Sequence, residues 1–180
     1  MDIPSRQECF KLLEKYEVPK SIVGHSEQVA KVAVYLGRAF VARGEELNIP
    51  LLEASALLHD IDKMLCIEDD EKKHAFEGFK ILEKEGFSEI AAIVREHRVS
   101  HILEARFSCI ESKLLYYADK RVKHEKIVSL GERYEYLFER YGSISEEAKQ
   151  KLIESKPLAF ALEKEIFEKI KEKPDMGGLK

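Results

Sequence analysis

Residues 56–63, Ala56-Leu57-Leu58-His59-Asp60-Ile61-Asp62-Lys63, join an apolar segment to a group of polar side chains. The apolar spacing over residues 50–60 predicts a helix, and His59 and Asp60 fall at its inner end. Buried imidazole and carboxylate groups cost free energy unless something pairs with them, and a divalent metal ion is an efficient partner. The segment therefore predicts a core helix that ends in two candidate metal ligands.

Other polar residues also fall on the apolar faces of predicted helices. His25 lies four residues before Val29 on one such face, and His97 follows Val94 at helical spacing. A single inward histidine is more often a hydrogen-bonded core residue than a metal ligand. Inward polar residues on several separate helices, however, would rarely result from independent core placement. The inward set comprises His25, His59, Asp60, His74, His97 and Asp119, whereas His101 and His124 are predicted to lie at the surface.

Helical spacing of apolar residues extends along nearly the whole chain. No segment alternates apolar and polar residues cleanly over the length of a strand, so the sequence predicts an all-α fold. The predicted helices cover residues 5–16, 21–43, 50–60, 71–85, 88–97, 109–123, 129–141 and 146–171.

Several residues predict how these helices begin, end and pack. Capping boxes are expected for Ser5 with Glu8, Ser108 with Glu111, and Ser129 with Glu132. Left-handed conformations just past helix ends are expected at Gly44, Gly86 and Gly142. Pro157 is expected to kink or split the last helix. Gly78, one turn after His74, would let another backbone segment or a metal site approach closely.

The length and composition indicate one globular domain. The chain has 180 residues, of which 44% are hydrophobic and 36% are charged. Residues 1–180 are therefore interpreted as a single domain, with a core at about 20–123, a C-terminal helical extension at about 129–171 and a frayed tail at 172–180. The apolar stripes of the extension predict that it packs over the domain or forms a homodimer contact.

Charge and cysteine content narrow the classes of function and location. The 30 basic and 34 acidic residues give a net charge of −4, which lacks the basic excess of a duplex nucleic-acid binder. A small anionic substrate needs only a local positive site. We expect no membrane span, since no apolar run approaches the required length of about 20 residues. The absence of a secretory signal and three separated cysteines favour a cytoplasmic protein, and the high charge favours a thermophilic source.

The ordered set of inward residues resembles the HD-domain metal-dependent phosphohydrolases. The resemblance covers about residues 20–123 and is carried by the segments Val23-Gly24-His25-Ser26, Ala56 to Lys63, His74-Ala75-Phe76-Glu77-Gly78, Glu96-His97 and Leu115-Tyr116-Tyr117-Ala118-Asp119-Lys120. It implies an all-helical bundle, here with additional C-terminal helices. It also implies a first metal ion held by His25, His59, Asp60 and Asp119.

The same resemblance implies a second metal ion. Family members with two further histidines in the middle of the chain bind it there, and His74 and His97 occupy those places, with Asp60 as the bridging ligand. Members with a single ion often carry a catalytic Glu where this sequence has Lys63, which favours two ions. Asp62 replaces the Gly of the frequent His-Asp-Ile-Gly-Lys form, and either a supporting role or simple tolerance would explain it.

The ligand types suggest the chemistry. Imidazole and carboxylate suit Fe, Mn, Co, Ni or Zn, and two such ions sharing Asp60 would hold a bridging hydroxide as the nucleophile. Lys63 and Arg98 are the candidates for binding phosphate oxygens, and Asp60 and Lys63 are the candidate catalytic residues.

Three functions are compatible with these residues. The favoured one is hydrolysis of a phosphate ester or anhydride, in a nucleotide or a dinucleoside polyphosphate; the resemblance includes the branch that cleaves diadenosine tetraphosphate. The alternatives are an oxygenase with two irons on the same ligands, and a regulatory module that binds nucleotide or metal without turnover. No motif in the sequence selects a base, a ribose or a number of phosphates.

Overall fold

The computed structural model of the protein describes residues 3–68, 73–104, 106–176 and 179. In this part of the chain the all-α prediction is confirmed, apart from one short antiparallel hairpin of two strands. The elements in chain order are α1 (Arg6–Lys15), α2 (Lys20–Val41), α3 (Ile49–Leu58), α4 (Lys63–Glu68), α5 (Phe76–Lys84), α6 (Ser88–Arg95), α7 (His101–Glu104), α8 (Ile110–Asp119), β1 (Val122–Lys123), β2 (Lys126–Ile127), α9 (Leu130–Tyr141) and α10 (Glu146–Ile170).

Helix α3 lies at the centre of the core and carries the fold-deciding segment. It packs against α1, α2, α6 and α8, and α2 in turn packs against α8. Its side chains from Leu52 to Leu58 are buried except for Glu53, because neighbouring helices surround it. The apolar stripe of α2 faces it through Val29, Val32 and Leu36, which are fully buried. This arrangement brings the end of α3 into the middle of the molecule.

Most predicted helix ends are confirmed, with one clear exception. Ser5 and Ser129 form their capping boxes, but the predicted box of Ser108 with Glu111 is wrong. The cap of α8 is Cys109, whose Sγ accepts from Ser112. The carboxylate of Glu111 instead accepts a hydrogen bond from the backbone N–H of Asn48 at 2.7 Å. This tertiary contact makes it unavailable for capping α8.

The glycine and proline predictions are partly confirmed. Gly44 and Gly86 adopt the expected left-handed conformation, with φ of 86° and 88°. The prediction of a left-handed conformation at Gly142 is wrong, since its φ of −66° is helical. The last helix is also not split, because α10 continues through Pro157. Pro157 lies on the exposed side of α10, where water can serve the carbonyl group that loses its helical partner.

Two stretches differ from the predicted helices near the inward histidines. The helix predicted at 71–85 begins only at Phe76, so His74 lies in the turn before it; residues 71–72 are outside the described part. The helix predicted at 109–123 ends at Asp119, and the chain then forms the β1–β2 hairpin. The short helices α4 and α7 were not predicted, since a few residues are too short to show a periodic pattern.

The C-terminal helices pack over the domain, as one of the two sequence-based alternatives predicts. Helix α10 packs against α2, α7, α8 and α9. Its buried side chains include Leu152, Leu162, Ile166, Phe167 and Ile170. Beyond α10, Met176 is buried and Arg121 donates to the Pro174 carbonyl at 2.7 Å, so these residues are held against the domain, and the frayed tail at 172–180 stays a prediction. The homodimer contact stays a prediction.

None of the helices in the described ranges combines the length and apolar character needed to cross a membrane.

The packing of α10 predicts unequal effects for two phenylalanines on that helix. Phe167 is 4% exposed and packs edge-on against Tyr117, whereas Phe160 is 40% exposed. We expect Phe167→Ala to lower the free energy of unfolding by about 3–5 kcal/mol, because it leaves a cavity in the core. Phe160→Ala, the matched control, should change it by no more than about 0.5 kcal/mol. Urea denaturation of both variants measures this difference, and equal stabilities would contradict it.

Candidate metal centre

The inward residues predicted from the sequence meet at one place, on or next to separate helices. Helices α2, α3, α6 and α8 pack against one another around this place. The six residues are His25 within α2, His59 and Asp60 directly after α3, His74 before α5, His97 after α6, and Asp119 at the end of α8.

One half of the centre is formed by His25, His59 and Asp119. Nε2 of His25 lies 3.1 Å from Oδ1 of Asp119, and Nε2 of His59 lies 3.8 Å from the same oxygen. The ligand atoms of these three residues all lie within 4.8 Å of one another. These side chains could therefore hold one ion.

The other half is formed by His74 and His97 around Asp60. Oδ1 of Asp60 lies 3.2 Å from Nε2 of His74 and 3.7 Å from Nε2 of His97. Its other oxygen, Oδ2, lies 3.7 Å from Nε2 of His59 in the first half. Asp60 thus presents one oxygen to each half, which is the position that a bridging ligand needs.

All four imidazole rings are oriented in the same way. Each Nδ1 lies 2.5–2.8 Å from an oxygen that can only accept, so Nδ1 carries the hydrogen and Nε2 faces the centre. The acceptors are the carbonyl of His124 for His25, the carbonyl of Ala56 for His59, the carbonyl of Val94 for His97, and the Asp62 carboxylate for His74. Histidine ligands of metal ions are held in this way, with the outer nitrogen hydrogen-bonded and the inner one free.

His59 provides a test of whether the site fits a metal ion. Its ring is fully buried, and Nε2 has no hydrogen-bond partner among the described residues. Burial lowers the pKa of His59 to about 3, so the ring is neutral and Nε2 carries a lone pair. A buried acceptor that faces Asp60 and Asp119 lacks a donor and costs free energy, and a cation between the three groups would satisfy all of them. The residues fit a divalent ion.

His74 and His97 contact each other directly, with their Nε2 atoms 2.9 Å apart. Since both Nδ1 atoms already carry hydrogens, one Nε2 must be protonated to make this hydrogen bond. Burial and the Lys63 ammonium disfavour a cation on His74, but hydrogen bonds to Asp60 and Asp62 raise the pKa of His74 well above its ordinary value. Burial lowers the pKa of His97. The proton therefore lies on His74, and a metal ion would displace it.

Asp62 has a supporting role, which the sequence left open. Its carboxylate is fully buried and accepts from Nδ1 of His74 at 2.8 Å. It also accepts the backbone N–H groups of Ala75 at 2.7 Å and Gly78 at 2.9 Å. A Cβ atom at Gly78 would lie 3.4 Å from this carboxylate, so the group that approaches Gly78 closely is a side chain, where a backbone segment or a metal site was expected. Asp62 holds the turn that carries His74.

Two basic side chains that lie close to the carboxylates of the centre were not predicted from the sequence. Lys120 is buried, donates to Asp119 at 2.6 Å and to the His97 carbonyl at 2.7 Å, and so ties two candidate ligands together. Arg133 of α9 lies 3.5 Å from Asp119. Burial alone would raise the pKa of Asp119, but Lys120 and His25, together with Arg133, hold it well below its ordinary value. The position of Lys120 directly after Asp119 could have indicated that it belongs to the centre. Nothing in the sequence around Arg133 indicates this.

Cys66 also lies beside the centre without having been predicted. Its ligand atom lies within 4.8 Å of those of Asp62 and His74, which makes these three residues a further group that could hold a metal. However, Asp62 and His74 are already joined by the hydrogen bond through Nδ1. The one signal in the sequence is the spacing of four residues between Asp62 and Cys66, which places them one helical turn apart.

A cavity of about 470 Å³ opens onto the centre. Asp60, His74, His97 and Asp119 form its inner end, and both predicted phosphate ligands, Lys63 and Arg98, line it. Among the described residues, six basic and two acidic side chains line the cavity, although the chain has a net charge of −4. The basic ones are Lys63, Arg98, Lys120, Arg133, Arg140 and Lys151. Half of these, Arg133, Arg140 and Lys151, come from α9 and α10.

The two histidines predicted at the surface have different positions. His124 is exposed, as predicted, and only its carbonyl group contributes to the centre. The prediction for His101 is wrong, because its ring is buried against Phe107 at a centroid distance of 5.1 Å. The short helix α7, which the sequence did not reveal, turns this ring inward.

The family described as HD domain matches residues 22–123, more than half of the chain. The chain belongs to this family. All six inward residues of the HD domain lie within the matched range, whereas α9 and α10 lie beyond it.

The HD-domain chain is also similar to a tRNA (cytidine(56)-2'-O)-methyltransferase of Picrophilus torridus. The two are 28% identical over an alignment of 141 residues, and the alignment covers 71% of this chain and 39% of that protein. This chain therefore spans well under half of the relative, and the methyl transfer is stated of that protein alone. No solved structure matches the chain.

The hydrogen bonds of Asp62 predict a specific effect of Asp62→Asn. The amide oxygen of Asn can still accept from Ala75 and Gly78, so the fold should persist. The amide nitrogen would face Nδ1 of His74 as a donor, which forces the hydrogen onto Nε2 and blocks metal binding there. We expect metal affinity to fall by roughly 10- to 100-fold, measured by titration with Co²⁺ or Mn²⁺.

Glu77→Gln is the matched control for this change, because it removes a carboxylate from the same segment, where Glu77 pairs with Lys80 instead. Thermal melting of both variants reports folding. Wild-type metal affinity in Asp62→Asn would show that the carboxylate does not set the orientation of His74.

The buried ring of His59 predicts how the stability of metal-free protein depends on pH. Its pKa of about 3 lies below the value of about 6.5 in the unfolded chain. The unfolded state therefore binds more protons below pH 6.5, and stability falls as the pH is lowered. From pH 6 to pH 5 this residue should remove about 1 kcal/mol from the free energy of unfolding. The raised pKa of His74 adds little here, since its stabilisation is fully present below about pH 6.5 and is lost only on raising the pH.

Denaturant titrations of chelator-treated protein at pH 6 and pH 5 measure this effect. His59→Gln should flatten the dependence, whereas His124→Asn, which removes an exposed imidazole, should leave it as in the wild type. An equally steep dependence in His59→Gln would rule out His59 as its source.

Proposed function

We propose that this HD-domain protein is a metal-dependent phosphohydrolase that cleaves a phosphate ester or anhydride of a nucleotide or a dinucleoside polyphosphate. The observation that carries the proposal is that inward metal ligands and six basic side chains meet in one cavity. The ligands attract cations and the basic side chains attract anions. Phosphate groups bind both metal ions and Lys or Arg side chains, so a phosphorylated substrate fits the cavity.

The proposed catalytic centre holds two divalent ions that share Asp60. Nitrogen and carboxylate donors suit Fe, Mn, Co, Ni or Zn. When bound, such ions supply Lewis acidity and acidify coordinated water. The first would be held by His25, His59, Asp60 and Asp119, and the second by Asp60, His74 and His97.

Lys63 is the proposed catalytic cation of the chain itself. Its Nζ lies 3.3 Å from Oδ1 of Asp60 at the inner end of the cavity. Burial alone would lower the pKa of Lys63, but nearby negative groups, with Asp60 first among them, raise it. The ammonium group therefore stays charged at neutral pH, and it can bind a phosphoryl oxygen and stabilise the charge that develops there.

Arg98 is the proposed substrate ligand, and it also lines the cavity. It lies over the ring of Phe76 at 4.7 Å from its centroid and pairs with Glu104 at 2.7 Å. Glu104 is half exposed, so this ion pair is weak and a phosphate group can replace the carboxylate. Lys120, by contrast, is committed to Asp119 and to the His97 carbonyl, and it serves to position these two groups.

The experiment that tests the proposal is a substrate panel on metal-analysed protein. Mn, Fe, Co and Ni are added in turn, and release of phosphate or nucleotide is measured for mono-, cyclic and dinucleoside polyphosphates. Oxygen uptake by anaerobically iron-loaded protein tests the oxygenase alternative. Hydrolysis of one substrate class supports the proposal. Oxygen consumption without hydrolysis, or binding without turnover of any substrate, contradicts it, and a content that never exceeds one ion per chain contradicts the two-ion centre.

Lys63→Ala is expected to lower kcat by roughly 100- to 1000-fold while the metal content stays unchanged, because the ammonium group meets the substrate. Lys80→Ala is the control, since Lys80 is exposed on α5 and pairs with Glu77. Mass spectrometry of metals and steady-state kinetics on both variants provide the measurement. Loss of metal in Lys63→Ala would show that Lys63 organises the centre instead.

A further inference from the structure

The cavity extends well beyond the metal centre, along α9 and onto α10. On α9 it is lined by Arg133, Leu137, Arg140 and Tyr141, which follow one another at helical spacing on one face. On α10 it is lined by Ala148, Lys151 and Leu152, again on one face. These two helices lie beyond residues 22–123, the range that matches the HD-domain family. They supply the part of the cavity that lies outside the matched range.

The cations of this outer part are paired away from the carboxylates of the centre, Arg140 with Tyr136 and Lys151 with Glu147. Arg133 is 3.5 Å from Asp119, so it belongs to the inner end. Arg140 follows it by seven residues, which corresponds to about 10 Å along the axis of α9. Its backbone therefore lies two helical turns beyond the residue that approaches Asp119. Arg140 and Lys151 therefore contact a different part of any ligand that fills the cavity.

Arg140 and Lys151 are free to change partners. Arg140 donates to the Tyr136 hydroxyl at 2.5 Å, a neutral group. Lys151 pairs with Glu147 at 2.6 Å, one turn away on α10, and the Glu147 side chain is 76% exposed. An exposed ion pair of this kind contributes little, so a phosphate group can replace Glu147. The acidic residues among the described lining, Asp60 and Asp119, are both at the inner end.

We infer that Arg140 and Lys151 form a second anion-binding end of the cavity, which takes the remote phosphates of an oligophosphate chain whose first phosphate lies at the metal centre. The inference rests on the proposed function for the position of that first phosphate. Intervening apolar residues, Leu137 and Leu152, offer no charge, so the ligand must carry its anionic groups at both ends of the cavity. The chemistry fits a nucleoside polyphosphate or a free polyphosphate.

Binding measurements test this inference separately from hydrolysis. The ligands are adenosine analogues with one, two or three phosphorus groups joined by non-cleavable methylene bridges, and the corresponding three-phosphorus chain without a nucleoside. Dissociation constants are measured by calorimetry on metal-loaded wild-type protein and on the double variant Arg140→Gln/Lys151→Gln. Lys149→Gln is the matched control, because Lys149 is also exposed on α10 and pairs with Glu146 but does not line the cavity.

For wild type and Lys149→Gln, we expect affinity to rise by roughly tenfold or more from one to three phosphorus groups, since charged hydrogen bonds are added at the outer end. The double variant should lose this gain and its dependence on salt. An affinity that does not depend on chain length, or a gain that the double variant retains, overturns the inference. The chain without a nucleoside shows whether phosphates alone suffice.

The two proposals fail in different ways. If affinity depends on chain length through Arg140 and Lys151 but the substrate panel shows no hydrolysis, the anion-binding end is supported and the phosphohydrolase is not. If hydrolysis occurs with no effect of chain length on binding, the second end is wrong and the proposed activity stands.

Discussion

The structure depends on bringing three buried imidazole rings, the half-buried ring of His74 and two buried carboxylates together at one place, where their polar atoms need partners. Each ring satisfies Nδ1 with an acceptor on its outer side, and three of these acceptors are backbone carbonyl groups. Two of those carbonyls, of Ala56 and Val94, belong to the helical turn directly before the histidine, so the end of the helix itself orients the ring. The inner nitrogens then have nothing but one another and the carboxylates to face, and a cation resolves this conflict.

Cationic groups of the protein also contact the carboxylates of the centre. Lys63 and Lys120 pair with Asp60 and Asp119, and a proton held between His74 and His97 pairs with Asp60 and Asp62. The centre is therefore electrostatically balanced before a metal binds. Metal binding at His74 must release a proton, so affinity at this position is coupled to pH.

The C-terminal helices complete the cavity that the HD domain begins. Helices α9 and α10 add Arg133, Arg140 and Lys151 to the Lys63 and Arg98 that line the cavity within the HD domain. The metal centre thus opens onto a cavity lined by six basic side chains, in a chain whose net charge is negative. The apolar faces that attach these helices to the core also fix where Arg133 and Arg140 lie relative to the centre. Packing and substrate binding are thus combined in the same helices.

The sequence by itself determined the helical fold and the inward set from His25 to Asp119, because helical periodicity states which side chains share a buried face. It also singled out Lys63 and Arg98, which line the cavity, because Lys63 lies three residues after Asp60 and Arg98 directly follows His97. Only the tertiary structure decided the role of Asp62 and the burial of His101. It also decided that Glu111 accepts a hydrogen bond from Asn48 and does not form the predicted capping box. It alone brought Arg133 to the metal centre, and Arg140 and Lys151 to the cavity that opens onto it. Such contacts join residues that are far apart in the chain, and periodicity describes the faces of a helix but not the neighbours that it meets.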